Sequence, residues 1–302
     1  MNYLYDGTFD GFLTCVHEHY YAAKADGILA PGAYQPDILI SSRAVQTDEA
    51  KARKVEEAVR DKISPHALAR VYRVFRTNTE GKEMLLLNYI RFCFKHGSGA
   101  AFLHSHPLVN PVANAELKIG NEVHRLCGLI RFSAVAPAAS SSPDTGAASF
   151  SPPVTASPPD TGAASFSPPA TASSPDTGAA SFSPPATSSS PEILYARISP
   201  DHEVLEFLAP HFTDRFKSDP FIIHDTKRGR ALIAWHRRWH IEDFTEQDAA
   251  LFANTANEEA YRGMWRKYFD TIAIKERTNP RCQRNFMPAR YWQNLPEMQI
   301  RE

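Results

Sequence analysis

A repeated segment in the middle of the chain limits what the remaining residues can fold into. Between residues 136 and 191 a 16-residue unit recurs three times, as SSPDTGAASFSPPVTA from Ser141 and in near-identical form from Ser157 and Ser173. Each unit contains one phenylalanine beside three or four prolines. The repeats offer too little apolar surface to offset the entropy lost when a backbone is ordered. We therefore expect 136–191 to be a disordered low-complexity insertion.

The two flanking parts, residues 1–135 and 192–302, are together long enough to bury a hydrophobic core. Hydrophobic residues make up 43% of the chain and the formal net charge is −1, which is ordinary for a globular protein. We therefore expect the N-terminal and C-terminal parts to contribute to the same core, with the insertion between them.

The sequence also indicates the cellular compartment in which the protein is expected. Its apolar runs are too short to cross a bilayer, and no basic segment followed by an apolar one stands near Met1. Four cysteines, Cys15, Cys93, Cys127 and Cys282, lie far apart without a CxxC pair. This spacing favours free thiols in a reducing compartment, so we expect a cytoplasmic protein without membrane contact.

Apolar residues at intervals of three, four or seven predict a series of helices. Thr47, Ser64 and Asp201 stand where helix caps are expected. The predicted helices cover 10–21, 47–62, 80–95 and 110–126, and two more begin at Pro65 and Asp201. The last is a long helix, broken or bent, that opens at a capping box of Thr245 and Asp248. We expect irregular structure from Thr278 onwards.

Strands are predicted where β-branched and aromatic residues cluster, at 1–5, 127–133, 193–198, 220–225 and 230–235. The segments 127–133 and 193–198 would form a hairpin with the repeats in its loop, and 220–225 would pair with 230–235 around Thr226–Gly229. A mainly antiparallel sheet packed with helices follows, so we predict an α+β fold with a single globular core.

The C-terminal region is basic and aromatic. From Tyr261 to Leu295 eight Lys/Arg stand against two Asp/Glu. Cations neutralise phosphates and flat rings stack on bases, so this density indicates nucleic-acid binding. The candidate contacts are Lys267, Lys275, Arg277, Arg281, Arg284, Arg290, Tyr291 and Trp292. The alternative is a solvated helix face with a docked tail whose aromatic residues belong to the core.

Five phrases of the chain, in this order, resemble an uncharacterised bacterial family described as "probable DNA metabolism protein". They are YLYDGTFDGFLTCVHEHY at Tyr3–Tyr20, EVHRLCGLIRF at Glu122–Phe132, YARISPDHEVLEFLAPHFTDRF at Tyr195–Phe216, FIIHDTKRG at Phe221–Gly229 and IKERTNPRCQRNFMPARYW at Ile274–Trp292. The resemblance covers the chain apart from the repeats and lies in the number and order of the phrases, since no phrase is a catalytic signature.

The resemblance implies a role beside another protein. Members of the family accompany a radical-SAM protein thought to act in DNA modification or repair, and some are fused to a uracil-DNA-glycosylase-like domain. The present sequence lacks the Cys-x3-Cys-x2-Cys pattern of a radical-SAM iron–sulfur site. The resemblance therefore implies the partner of the radical enzyme, and it assigns no catalytic residue.

Scattered polar residues offer candidates for catalysis. His224 and Asp225 end a predicted strand, and a His–Asp pair can perform acid–base chemistry. Glu122, His124 and Arg125 end a predicted helix, and they could form an inward polar cluster that meets His211 or His224. Each candidate also has a structural explanation. His224 and Asp225 are neighbours on a strand and should point to opposite faces, and an Asp before a turn commonly binds turn amides. A His near a helix C-terminus, such as His124, is stabilised by the helix dipole.

Two histidine patterns resemble metal sites. Cys15 and His19 would share a helix face, but His17 would point elsewhere. His104 and His106 lack a third ligand at a typical spacing. The sequence therefore predicts no metal and no cofactor.

Three functions remain open at this point. The first is a DNA-directed accessory protein in DNA metabolism or repair, which binds nucleic acid, a radical-SAM partner, or both. The second is a hydrolase or glycosylase-like enzyme acting on DNA, whose site would join Asp6, Glu122, His124, His211, His224 and Asp225. The third is a protein-interaction module that does not contact DNA.

Overall fold

The structure is a computed structural model that describes residues 1–32, 41–137, 192–254 and 258–299. The three repeated units lie outside the described residues, so the prediction of a disordered insertion stays a prediction. Within the described ranges no helix is both long and apolar enough to cross a membrane.

The N-terminal part is mostly helical. Short strands alternate with the first helices, and the longest helix comes last. The elements are β1 (Asn2–Leu4), α1 (Phe9–Tyr21), β2 (Gly27–Leu29), β3 (Ser42–Ala44), α2 (Glu49–Lys62), α3 (Pro65–Phe75), α4 (Lys82–His96) and α5 (Asn110–Leu129). Strand β1 lies between β2 and β3 and is parallel to both, with Tyr3 opposite Ile28 and Arg43. The sequence patterns did not predict β2, β3 or this parallel sheet.

The C-terminal part contains the larger sheet. Its elements are β4 (Ser133–Pro137), β5 (Ile193–Ile198), α6 (Leu205–Phe216), β6 (Phe221–Asp225), β7 (Arg230–Trp235), β8 (Arg238–Asp243), α7 (Glu246–Ala250), β9 (Phe252–Asn254), α8 (Glu258–Ile272) and α9 (Pro280–Phe286). The strand order is β8-β7-β6-β5-β4-β9. Neighbouring strands are antiparallel except β5 and β6, which α6 connects as a parallel pair. The predicted α+β fold with a mainly antiparallel sheet is therefore confirmed for this sheet.

The hairpin that flanks the repeats is confirmed, but its first strand was placed too early. Residues 127–133 were predicted as a strand, whereas α5 continues through Leu129 and the strand begins at Ser133. Val135 then pairs with Ile193. Helix α5 continues because Leu126 and Ile130 pack into the same buried cluster as Ile198, and this packing overrides the local preference for strand.

The cap of α2 also differs from the prediction. Asp48 accepts hydrogen bonds from the backbone amides of Ala50 and Lys51, at 3.0 and 3.1 Å. The predicted cap, Thr47, instead donates its hydroxyl to Asp6 Oδ2 at 2.6 Å. A carboxylate is the stronger acceptor for the free amides of a first turn, so the assignment of Thr47 was wrong.

In the C-terminal part, the capping box of Thr245 and Asp248 is present, but it opens only the five-residue helix α7. The segment predicted as one long helix, broken or bent, forms the two helices α7 and α8, with strand β9 between them, and the sequence did not predict this strand. Likewise α6 is capped at Val204 and not at Asp201, and it passes through Pro210 without a break. The tail predicted to be irregular contains α9 and three short 3-10 turns, Lys275–Arg277, Ala289–Asn294 and Pro296–Met298.

Two large clusters of buried hydrophobic residues stabilise the described parts. The first joins β1 with α1–α4, and the second joins α6 with one face of the large sheet. Helix α5 belongs to both, because Val112 and Ala115 pack in the first cluster while Ile119 and Leu126 pack in the second. This helix therefore carries the residues that connect the C-terminal region with the rest of the molecule.

Candidate nucleic-acid interface

Residues 258–299, which we call the C-terminal arm, contain most of the predicted nucleic-acid contacts. The arm begins at Glu258, whose buried carboxylate accepts from the Ala134 amide at 3.0 Å and from Arg262 Nε at 2.9 Å. Arg262 in turn donates to Ser133 Oγ at 2.7 Å. Helix α8 is thus attached to strand β4 by two of its side chains, the buried carboxylate of Glu258 and the guanidinium of Arg262.

A second attachment lies farther along the arm. The Glu297 side chain is only 2% exposed and accepts from Arg131 Nη2 at 2.8 Å and from Trp265 Nε1 at 3.0 Å. The Arg131 guanidinium lies 5.2 Å from the centroid of the Trp265 ring. One carboxylate therefore holds α8 and the last turn of the arm against the residue that follows α5.

The third attachment is centred on Glu122 of α5, which is 2% exposed. Its carboxylate accepts from the amides of Asp201 and His202, both at 2.9 Å, and from the Tyr291 hydroxyl at 2.6 Å. Arg290 adds an ion pair to Asp201 at 3.1 Å. Burying a carboxylate costs free energy because it loses its hydrogen bonds to water, and three donors replace those bonds here. Glu122 therefore fixes the arm to the core.

These contacts change the interpretation of three predicted DNA contacts. Tyr291 is 3% exposed and Arg290 lies over its ring at 4.9 Å, so the ring is not open for stacking on a base. Trp292 is partly buried and donates to the Met287 carbonyl at 2.9 Å. Arg290 and Tyr291 therefore attach the arm to the core, whereas Trp292 bonds within the arm, and these contacts favour the interpretation of a docked tail for this part of the arm.

Four of the predicted cationic contacts of the arm face solvent. Lys267, Arg277, Arg281 and Arg284 are exposed, and none of them has an ion-pair partner within the described residues. Lys275 begins the 3-10 turn that ends at Arg277. The arm therefore separates its charges into arginines that hold it in place and cations that have no internal partner.

Asp225, a predicted catalytic residue, is buried at the end of β6. Its Oδ1 accepts from the Lys227 amide at 3.1 Å and its Oδ2 from Arg228 Nη1 at 2.9 Å. The same guanidinium donates to the carbonyls of Pro200 and Asp201, at 3.2 and 2.6 Å. Burial raises the pKa of Asp225. The prediction that Asp225 binds a turn amide is confirmed, and Asp201 lies between it and Glu122.

His224 points to the opposite face of β6. Its Nδ1 shares a hydrogen bond of 2.8 Å with the Tyr195 hydroxyl, and its ring meets the edge of Phe244 at 4.9 Å. Its Nε2 is buried and has no hydrogen-bond partner among the described residues. Burial lowers the pKa of His224 and raises that of Tyr195 to about 12. Neighbours on this strand therefore do not form a catalytic His–Asp pair.

The remaining candidates do not join this group. His124 and His211 are exposed on α5 and α6, and Asp6 binds Thr8 and Thr47 in the N-terminal part. Of the six residues considered for an enzyme site, only Glu122 and Asp225 are linked, through Asp201. The enzyme hypothesis stays untested, but the six residues do not form one hydrogen-bonded site.

The histidines of the two patterns have structural partners in the fold. His19 accepts from the Ala25 amide at 2.9 Å through Nδ1, and His17 stacks on Tyr21 at 4.5 Å. Burial raises the pKa of the Cys15 thiol to about 12, which disfavours the thiolate. His106 stacks on Phe92 at 3.9 Å. Within the described ranges no group of three or more His, Cys, Asp or Glu could hold a metal ion.

A small open pocket of about 60 Å³ lies where α3, the start of α6 and the β6–β7 hairpin meet. Arg76 pairs there with Glu203 at 2.9 Å, and Arg228 pairs with Asp225. Because these guanidinium groups bind carboxylates of the same pocket, they offer little surplus charge to a ligand. We therefore place the candidate interface on the C-terminal arm.

Comparison with known proteins finds a match in the C-terminal part of the chain, which includes most of the arm. Residues 186–297 match a family model described as a domain of unknown function (DUF4130). No curated protein and no solved structure matches the chain. The match covers roughly a third of the 302 residues. It runs from just before β5 to Glu297, the carboxylate that holds the end of the arm.

Sequence reasoning missed Glu258, Glu297 and the backbone amides of residues 201 and 202. The sequence did contain a signal that the Glu297 carboxylate is buried, because Glu297 lies between Leu295 and Met298 in a segment with few other charges. Glu258 gave no such signal, because Glu259 beside it is exposed and the two read alike in a sequence. Only the fold shows which of the two carboxylates is buried.

Proposed function

We propose that this protein is a DNA-directed accessory protein that binds nucleic acid through the exposed cations of the C-terminal arm. One observation carries the proposal: Lys267, Arg277, Arg281 and Arg284 are exposed without an ion-pair partner in the described part of the chain. Exposed cations that are not neutralised internally are the groups that bind phosphates and release counterions.

The way in which the arm is attached supports this assignment. Arg262 and Arg290 bind Glu258 and Asp201, so the fold satisfies these two arginines internally. The exposed cations without partners lie on α8, on the 3-10 turn that ends at Arg277 and on α9, in a chain whose formal net charge is only −1. The positive charge is therefore concentrated locally, as expected for a site that binds a polyanion.

The resemblance to the "probable DNA metabolism protein" family supplies the second component of the proposal. A radical-SAM protein would be the partner, and this chain would present nucleic acid to it. The first test concerns the nucleic acid alone, because this binding can be measured with the purified chain.

The test compares two triple variants by titrating nucleic-acid binding against salt. The first carries Arg277→Gln, Arg281→Gln and Arg284→Gln. The control carries Arg53→Gln, Lys54→Gln and Lys62→Gln, which remove the same charge from exposed positions of α2. We expect the arm variant to bind more weakly and the slope of log K against log salt to fall by about 2 to 3, since each lost phosphate contact contributes about 0.7 to 0.9.

The control should retain the affinity and the slope of the unmodified protein. If the arm variant and the unmodified protein give the same affinity and the same slope, the cations of the arm are not the contact and the proposal fails. In that case the interaction-module hypothesis takes its place.

A further inference from the structure

Helix α8 exposes a row of large apolar side chains that the folded core does not cover. Tyr261, Met264, Trp265, Tyr268 and Ile272 are spaced by three or four residues and therefore lie on one side of the helix. Tyr261 is 60% exposed and Tyr268 is 57% exposed. Monomeric proteins rarely leave such a contiguous apolar surface open unless it binds something, so this row, the α8 stripe, needs an occupant.

The central ring of the stripe is held in a fixed position. Trp265 Nε1 donates to the buried carboxylate of Glu297 at 3.0 Å, and Arg131 lies over the indole. The Tyr268 ring stacks on Trp265, with centroids 5.6 Å apart and planes inclined by 29°. Tyr268 has no second ring or cation contact among the described residues, so this pair forms a stack that a further flat ring can extend.

Charge next to the stripe selects the kind of occupant. Lys267 is three residues from Met264, which places it along the margin of the stripe, and Arg277, Arg281 and Arg284 follow in the next turns of the arm. An apolar protein segment would fill the stripe but would leave these cations without counter-charges. A nucleic-acid strand supplies flat rings and phosphates together, which matches both sets of side chains.

The pairing state of the strand follows from the same geometry. In a duplex the faces of the bases are already stacked on one another and are not available to a protein ring. From Tyr261 to Ile272 the stripe extends on the order of 16 Å along the helix, which is about the length of four or five stacked bases. We propose that the α8 stripe binds the unpaired bases of single-stranded nucleic acid, an inference that rests on the proposed function of the arm.

The test uses the full chain and measures the dissociation constant for one oligonucleotide, single-stranded and annealed to its complement. The variant carries Tyr261→Ala and Tyr268→Ala, and the control is Tyr21→Ala, an exposed tyrosine of α1. We expect single-strand binding to weaken at least about fivefold for each ring removed, since base–aromatic stacking is sequence-tolerant but strong. Duplex binding and the salt slope should change little, because no charge is removed.

The outcomes separate this inference from the proposed function. If the unmodified protein binds duplex and single strand equally and the double variant behaves like it, the stripe does not contact bases, although the cations of the arm still bind nucleic acid. If the double variant loses duplex and single-strand binding in equal measure, selection of unpaired bases is overturned. If the unmodified protein binds neither form at low salt, both proposals fall together.

Discussion

At the scale of single residues, Glu122 determines where the C-terminal arm lies. A carboxylate buried in this way needs donors, and the fold supplies two backbone amides and the Tyr291 hydroxyl. Burial raises the pKa of the Tyr291 phenol, so the hydroxyl stays protonated and donates. A tyrosine that the sequence presents as a stacking ring is in fact a hydrogen-bond donor to an acid 169 positions away.

The contribution of that hydroxyl can be measured with Tyr291→Phe. The variant keeps the ring but leaves the buried carboxylate of Glu122 with one donor fewer. We expect the free energy of unfolding to fall by about 1 to 3 kcal/mol, measured by urea denaturation. Tyr268→Phe is the matched control, because its hydroxyl is exposed and should contribute little. An equal, small loss in both variants would show that the Glu122 contact does not stabilise the arm.

Sequence alone could locate part of this site. The excess of Lys and Arg after Tyr261 is visible in the composition, and it points to the arm. Which cations remain free is not visible, since Arg290 and Arg284 look equivalent in sequence and only the fold places Asp201 beside one of them. The distinction depends on contacts between residues far apart in the chain, which local patterns do not record.

At the scale of secondary-structure elements, the predictions succeeded where a local signal decides the structure. The Ser64–Pro65 start of α3 and the Gly97 end of α4 are examples, because cap chemistry acts within a few residues. Strand β8 was missed for the opposite reason. It follows β7 through a two-residue turn of His236 and Arg237, which contains none of the glycine or asparagine that marks such turns.

That turn leads to a prediction. His236 and Arg237 have φ angles of 49° and 63°, a region that costs a side-chain-bearing residue roughly 1 kcal/mol. Arg237→Gly removes this strain and keeps the backbone bond to the Lys217 carbonyl. We expect the variant to be as stable as the unmodified protein or more stable by up to about 1 kcal/mol in urea denaturation.

The matched control is Arg238→Gly, one residue later in β8, where an extended backbone gives glycine no advantage. This variant should lose roughly 0.5 to 1 kcal/mol. If both substitutions destabilise the protein equally, the turn is not strained and the explanation for the missed strand is incomplete.

At the scale of the whole molecule, polar contacts tie the two parts of the fold together beside α5. The Arg76 carbonyl accepts from the Glu203 amide at 3.0 Å, and the Asn78 amide donates to His202 Nδ1 at 3.2 Å. His19 accepts a backbone amide in the same way in the N-terminal part. Each of these histidines must be neutral at Nδ1, so the fold depends on their protonation state.

Stability should therefore decrease in mild acid. Burial lowers the pKa of His19, His202 and His224 below the ordinary value of 6.5. The unfolded chain then binds more protons than the folded chain as pH falls through 6.5, so the free energy of unfolding decreases there. Urea denaturation at pH 7 and pH 5 measures the decrease, which should be smaller in His224→Gln than in the exposed control His211→Gln. Identical decreases would exclude His224 as a contributor.

The pairing of β4 with β5 has a consequence for how the gene can change. Residues 136–192 separate the paired Val135 and Ile193 along the chain, and the entropy of closing a flexible loop grows only with the logarithm of its length. One more 16-residue unit would raise that cost by about 0.2 kcal/mol. For an insertion that is disordered as the sequence predicts, copy number should therefore be almost neutral for stability, and slippage between the near-identical units should meet little opposition from the fold.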